Sequence, residues 1–148
     1  MRNPRQGSGR VGTAVLVATS LLLVVGCGSG GQAQQGASTI RVSERDFKMS
    51  TSAPSVRAGN VDIAVDNHGP DAHELIVARE NDEGLALRSD GLTVNEEALQ
   101  PYEAGALEPG EPGHVRHLEA YLKPGRYVLF CNMSGHFLGG MHTELVVR

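Results

Sequence analysis

Tryptophan is absent from the 148 residues, and the aromatic side chains amount to three tyrosines and three phenylalanines. A chain so poor in rings needs aliphatic residues to build a core. Short runs such as Leu75-Ile76-Val77 supply them, which excludes general disorder. Carboxylates are missing from the first 40 residues, while Arg2, Arg5 and Arg10 stand in the first ten. The overall balance is 13 basic against 17 acidic residues, a charge of −4, and it becomes −7 once the N-terminal segment is set aside. An acidic domain gains nothing from counterion release on a phosphate backbone, so no nucleic acid partner is expected. Cysteine is also scarce, with Cys27 and Cys131 the two present. At this length one domain is expected, with no internal repeat.

The arginines precede an apolar run, Val11 to Val25, broken only by small or hydroxyl residues. A basic start followed by about 15 mainly apolar residues is the pattern of a secretory signal, and it is short for a membrane span. The run closes on Leu23-Val24-Val25-Gly26-Cys27 and continues Gly28-Ser29-Gly30-Gly31. This resembles a bacterial lipoprotein box, in which the thiol is acylated and becomes the first mature residue. Val24 stands where Leu is commoner. Residues 1–26 are accordingly expected to be a lipoprotein signal peptide, with Cys27 the lipidated residue. Residues 27–38 form a tether of Gly, Ser, Gln and Ala beyond the cysteine, spanning about 18 Å root-mean-square. The expected product is exported and lipid-anchored to the outer face of the bacterial cytoplasmic membrane, with residues 39–148 as its folded part.

If lipid occupies Cys27, Cys131 is the lone thiol of the folded part, in a compartment that is usually oxidising. No internal disulfide is then possible. Such a thiol is buried and inert, reactive, or held by a metal.

Period-two alternation at Val61, Ile63 and Val65 marks a half-buried strand. Further strands are expected over Thr39–Phe47, Ser55–Ala58, Leu75–Val77, Val115–Leu122, Arg126–Phe130 and His142–Val147. Turn chemistry falls at Asn67-His68-Gly69-Pro70-Asp71 and Lys123-Pro124-Gly125. Residues 80–113 are acidic and rich in Gly and Pro, with one short helix through Leu99 expected from a capping box formed by Thr93 and Glu96. Many short strands and almost no helix indicate an all-β sandwich.

Between the last two strands the chain reads Cys131-x-x-x-x-His136-x-x-x-x-Met141. Alternation puts Tyr127, Leu129 and Cys131 on one face, so the thiol points inward at the end of a core strand. The Gly-rich loop that follows can turn His136 and Met141 back over it. A thiolate, an imidazole and a thioether together favour copper over magnesium or calcium. His73, where the Asn67–Asp71 turn meets the next strand, supplies a second imidazole. Taken singly, each residue has an ordinary structural explanation: His73 a satisfied histidine, Cys131 a buried hydrophobe, Met141 core filler. Their shared loop and the exported thiol favour a metal. His68, His114, His117 and His142 are read as turn, surface and edge histidines. Asn132-Met133-Ser134 matches a glycosylation acceptor but falls inside the ligand loop and is set aside.

Residues 39–148 resemble the cupredoxins, the plastocyanin/azurin type of blue copper domain, and among them the rusticyanin- and sulfocyanin-like members with a wide ligand loop. The resemblance rests on Asn67 to Leu75 and on Lys123 to Met141. It implies a Greek-key β-sandwich and a mononuclear Cu(I)/Cu(II) site with His73, Cys131, His136 and Met141 as ligands. One departure stands out: Glu74 occupies the position after the first histidine, where many members carry an Asn or Ser that ties this loop to the cysteine loop. Outer hydrogen bonds of that kind tune a metal site.

No nucleophile triad, carboxylate pair or zinc helix is present, so enzymatic activity is not expected. The expected role is a membrane-tethered, monomeric one-electron carrier serving redox protein partners of a respiratory or copper-handling chain. The alternatives are a lipoprotein that holds copper for another exported protein, and an interaction domain that merely retains the ligands. Met133, Phe137 and Leu138 around His136 are expected to form the rim through which electrons leave.

Overall fold

The computed structural model describes residues 36–148. The expected signal peptide, Cys27 and most of the tether lie outside the described residues. Nine strands occur among them: β1 (Ser38–Arg45), β2 (Lys48–Thr51), β3 (Ser55–Val56), β4 (Gly59–Asn67), β5 (His73–Arg79), β6 (Glu103–Gly110), β7 (Val115–Leu122), β8 (Gly125–Phe130) and β9 (His142–Val147). A single helical turn, α1 (Glu96–Leu99), lies between β5 and β6. The strands form two mixed sheets, ordered β2-β1-β4-β7 and β3-β9-β8-β5-β6. The β4–β5, β6–β7 and β7–β8 connections cross between them, giving the expected Greek-key sandwich.

Strand alternation builds the core. Ile40, Val42, Val61, Ile63 and Val65 of the first sheet meet Leu75, Val77, Tyr127, Leu129 and Leu145 of the second. The other face of β5 and β8 is buried as well: Ile76, Ala78, Val128 and Phe130 pack under Val94, Leu99 and Leu85 of the long connection. Burial on both faces accounts for the continuous apolar runs of these two strands.

Four sequence expectations are corrected. The first strand stops at Arg45 rather than Phe47; Asp46 and Phe47 form a two-residue turn, and Lys48 pairs back to Arg45 in β2. The strand expected over Ser55–Ala58 is only Ser55–Val56. Residues 80–113 contain β6, which pairs with β5 at the sheet edge. Its alternation is weak because an edge strand is half exposed, and it tolerates Pro109 for the same reason. The helix is capped by Asn95, whose side chain accepts from the Glu97 and Ala98 N–H groups, while the Thr93 hydroxyl turns to Asp90.

Topology gathers one end of the sandwich. β1 and β4 run parallel with Glu44 opposite Asn67, so the Asp46-Phe47 turn and the loop into His73 open on the same side. β8 runs antiparallel to β5 and delivers Cys131 there too.

Candidate metal centre

The loop carrying His73 is pinned by Asn67, which is 1% exposed. Its Nδ2 donates to the carbonyls of Asp71 (2.8 Å) and Gly110 (3.0 Å), and its Oδ1 accepts from the Gly69 N–H (2.9 Å). His73 is fully buried, and its Nε2 lies 3.0 Å from Asp46 Oδ1. Its Nδ1 is buried with no hydrogen-bond partner.

The second loop starts at Cys131, also fully buried. The Cys131 N–H donates to the Met141 carbonyl (3.1 Å) and the Met141 N–H to the His136 carbonyl (3.0 Å). These bonds close the loop on itself. Gly140, at φ 102°, supplies the left-handed residue this return needs. Cys131 Sγ is 3.5 Å from His136 Nδ1, and the His73 and His136 rings stand 5.2 Å apart at 61°. The ligand atoms of His73, Cys131 and His136 all lie within 4.8 Å of one another. Met141 is fully buried where the loop closes.

Burial lowers the His73 pKa, partly opposed by its bond to Asp46, so its imidazole is neutral at neutral pH, the ligating form. Burial raises the Cys131 thiol, opposed by the backbone N–H groups of Met133 and Glu74 that face the sulfur. An unpartnered imidazole nitrogen, a thiol flanked by N–H donors and a second imidazole are a donor set that fits a soft cation. Buried polar atoms normally find partners, and His73 Nδ1 lacks one unless a cation supplies it.

The remaining histidines stay apart. His117 is hydrogen-bonded to Asp62 (2.9 Å), His68 Nε2 lies 3.2 Å from an Asp66 carboxylate oxygen, and His142 is exposed beside Phe137. Among the rim residues, Leu138 is 52% exposed. Phe137 stands edge-on to Phe130 at 5.3 Å, and Met133 packs against the inner core. Asn132 is buried: its Nδ2 donates to the Val94 carbonyl and to Glu96, and its Oδ1 accepts from the Val94 N–H. That bonding leaves no free amide for a sugar, and it straps the ligand loop to the segment before α1. Glu74 follows His73 directly, and its carboxyl faces the backbone N–H of Asn132. Burial pushes that carboxyl upward, the nearby Glu96 adds to the shift, and the Asn132 N–H opposes it.

Sequence reasoning missed Asp46 and Phe47. A signal existed: an Asp followed by an aromatic breaks the alternation of Ile40, Val42 and Glu44, and both stand at the turn.

No family model matches the chain, and no curated protein is similar to it in sequence. Solved structures do match. Reduced auracyanin from Roseiflexus castenholzii superposes with a TM-score of 0.56 at 20% identity, over 76% of this chain and 99% of its own. Auracyanin A from Chloroflexus aurantiacus gives 0.56 at 17% identity, over 76% and 100%. Reduced rusticyanin gives 0.54 at 14%, over 76% and 81%. The chain has the cupredoxin fold. Within this cupredoxin fold the four residues expected as ligands stand at one end of the sandwich, His73 where its loop enters β5 and the others on the loop after β8, and His73, Cys131 and His136 converge.

Proposed function

We propose that this protein is a blue copper protein, a one-electron carrier tethered by lipid on Cys27 outside a bacterial cytoplasmic membrane. The observation that carries the reading is the cluster of fully buried His73 and Cys131 with half-buried His136, in which His73 Nδ1 lacks any other partner. His73, Cys131, His136 and Met141 would hold copper through two imidazoles, a thiolate and a thioether, the donor types of electron-transfer copper sites. Copper bound there supplies a Cu(II)/Cu(I) couple. The chain contributes rigidity: Asn67 pins one ligand loop, Asn132 straps the other, and the Cys131–Met141 bond closes it. A site held this way rearranges little when its charge changes. His136 is half-buried beside the exposed Leu138, which suits close approach of a redox partner. Auracyanin A is described as a "blue" copper protein, in keeping with this reading. The tether rests on the three early arginines, the apolar run and the Gly/Ser context of Cys27.

The test is an absorption spectrum of the copper-loaded protein with a redox titration. An intense visible thiolate-to-copper band that bleaches reversibly on reduction is expected, and Cys131→Ser should abolish it while the fold persists by circular dichroism. Strong colour surviving in Cys131→Ser would sink the reading. Copper that binds but cannot be cycled would favour copper delivery instead.

A further inference from the structure

We propose that the β1–β2 turn is a clamp on both histidines, in which the Asp46 carboxylate accepts the Nε2–H of His73 and biases the site toward the oxidised metal. This rests on the copper reading above.

Three observations converge on the turn. The His73–Asp46 contact is 3.0 Å long, between a fully buried ring and a carboxylate that is 29% exposed. Such a bond fixes the tautomer, with the proton on Nε2 and the lone pair on Nδ1. Next, the chain has cleared space for it. A Cβ on Gly69 would come within 2.7 Å of Asp46 Oδ1 and 2.9 Å of His73 Nε2, so glycine alone fits against this bond. Finally, Phe47 holds a left-handed backbone, φ 59°, a conformation that strains a non-glycine residue. Its ring stands 5.2 Å from His136 at 60°. Strain of this sort persists where the surroundings over-determine it, and here it seats one residue of the turn on each histidine.

The chemical consequence follows from charge. An anionic acceptor on Nε2 raises the electron density of the imidazole, and a partly buried negative charge stabilises the more positive metal state. Asp46 is therefore a positioning residue that also sets the potential.

The experiment compares copper-loaded wild type with Asp46→Asn, Gly69→Ala and Asp71→Asn. Midpoint potential and Cu(II) affinity by chelator competition are the readouts. Asp46→Asn keeps the shape of the turn and a possible acceptor but removes the charge. It should retain the visible band and bind Cu(II) about tenfold more weakly. With Cu(I) affinity unchanged, that is a rise of about 59 mV for a one-electron couple. Gly69→Ala leaves every charge in place but forces Oδ1 and Nε2 apart, and it should raise the potential as well. Asp71→Asn removes a neighbouring charge that makes no bond to the ring and should move it far less. A blue wild type whose potential is unmoved by both Asp46→Asn and Gly69→Ala would overturn the clamp alone. So would an equal shift in Asp71→Asn. A wild type that takes up no copper would overturn the clamp together with the function.

Discussion

Met141 is fully buried, and its main chain rather than its side chain closes the ligand loop onto Cys131. Exchange for leucine conserves volume and leaves those backbone bonds in place, so it should cost less than about 1.5 kcal/mol of stability. It removes the one thioether donor. The expected outcome for Met141→Leu is retained copper and colour with a raised reduction potential, since loss of a weak axial donor disfavours the oxidised metal more than the reduced. Redox titration of the variant checks it, and loss of all copper would count against an axial role. Glu74 is the other instructive residue. Its main-chain N–H faces the Cys131 sulfur, while its carboxyl faces the Asn132 N–H.

At the scale of elements, β1 and β7 are linked through an inward-facing ion pair. Glu44 is fully buried, and its Oε2 is 2.9 Å from an Arg116 nitrogen, while Arg116 also donates to the Glu108 carbonyl of β6. Burial pushes the Glu44 carboxyl from its ordinary 4.5 to about 7, against the pull of Arg116. Between those values the folded chain keeps a proton that the unfolded chain has released. The contribution of this group to stability is complete below pH 4.5 and is lost as pH rises through about 7. Glu44→Gln keeps an acceptor for Arg116 but cannot titrate, so it should flatten this part of the pH dependence. Thermal unfolding of the metal-free protein at pH 5 and pH 8 measures it. Wild type should lose more stability over that interval than the variant, at about 4 °C in Tm per kcal/mol. Equal losses would place the proton elsewhere.

For the whole molecule, the charges are divided along the sequence: the carboxylates all lie after residue 40, and three arginines stand in the first ten residues. On the proposed function, acylation of Cys27 would hold the folded part at a membrane surface, within reach of membrane-bound partners. Cys27→Ala should shift the protein from the membrane to the soluble fraction, or leave it unprocessed, with the copper band of the folded part unchanged. Fractionation followed by mass analysis of the mature N-terminus reads this directly. A wild type that is wholly soluble and cleaved elsewhere would remove the anchor and leave the metal centre standing.

Sequence alone determined the sandwich and the four ligand candidates, because both are written in local patterns. Alternation at Val61, Ile63 and Val65 reports a buried face without reference to any partner strand. Cys131, His136 and Met141 share one loop, so their spacing carries the chemistry by itself, and a turn-to-strand junction far earlier in the chain marks His73. What only the tertiary structure decided is what surrounds those ligands. Asp46 lies 27 residues before His73, and Asn132 lies 38 residues after Val94. Neither pairing leaves a periodic trace. β6 escaped notice because an edge strand is half exposed and does not alternate cleanly. For Asp46 and Asn132 the physical reason is shared: periodicity records which face of an element is buried, whereas the partner of a buried polar group is set by how distant elements cross.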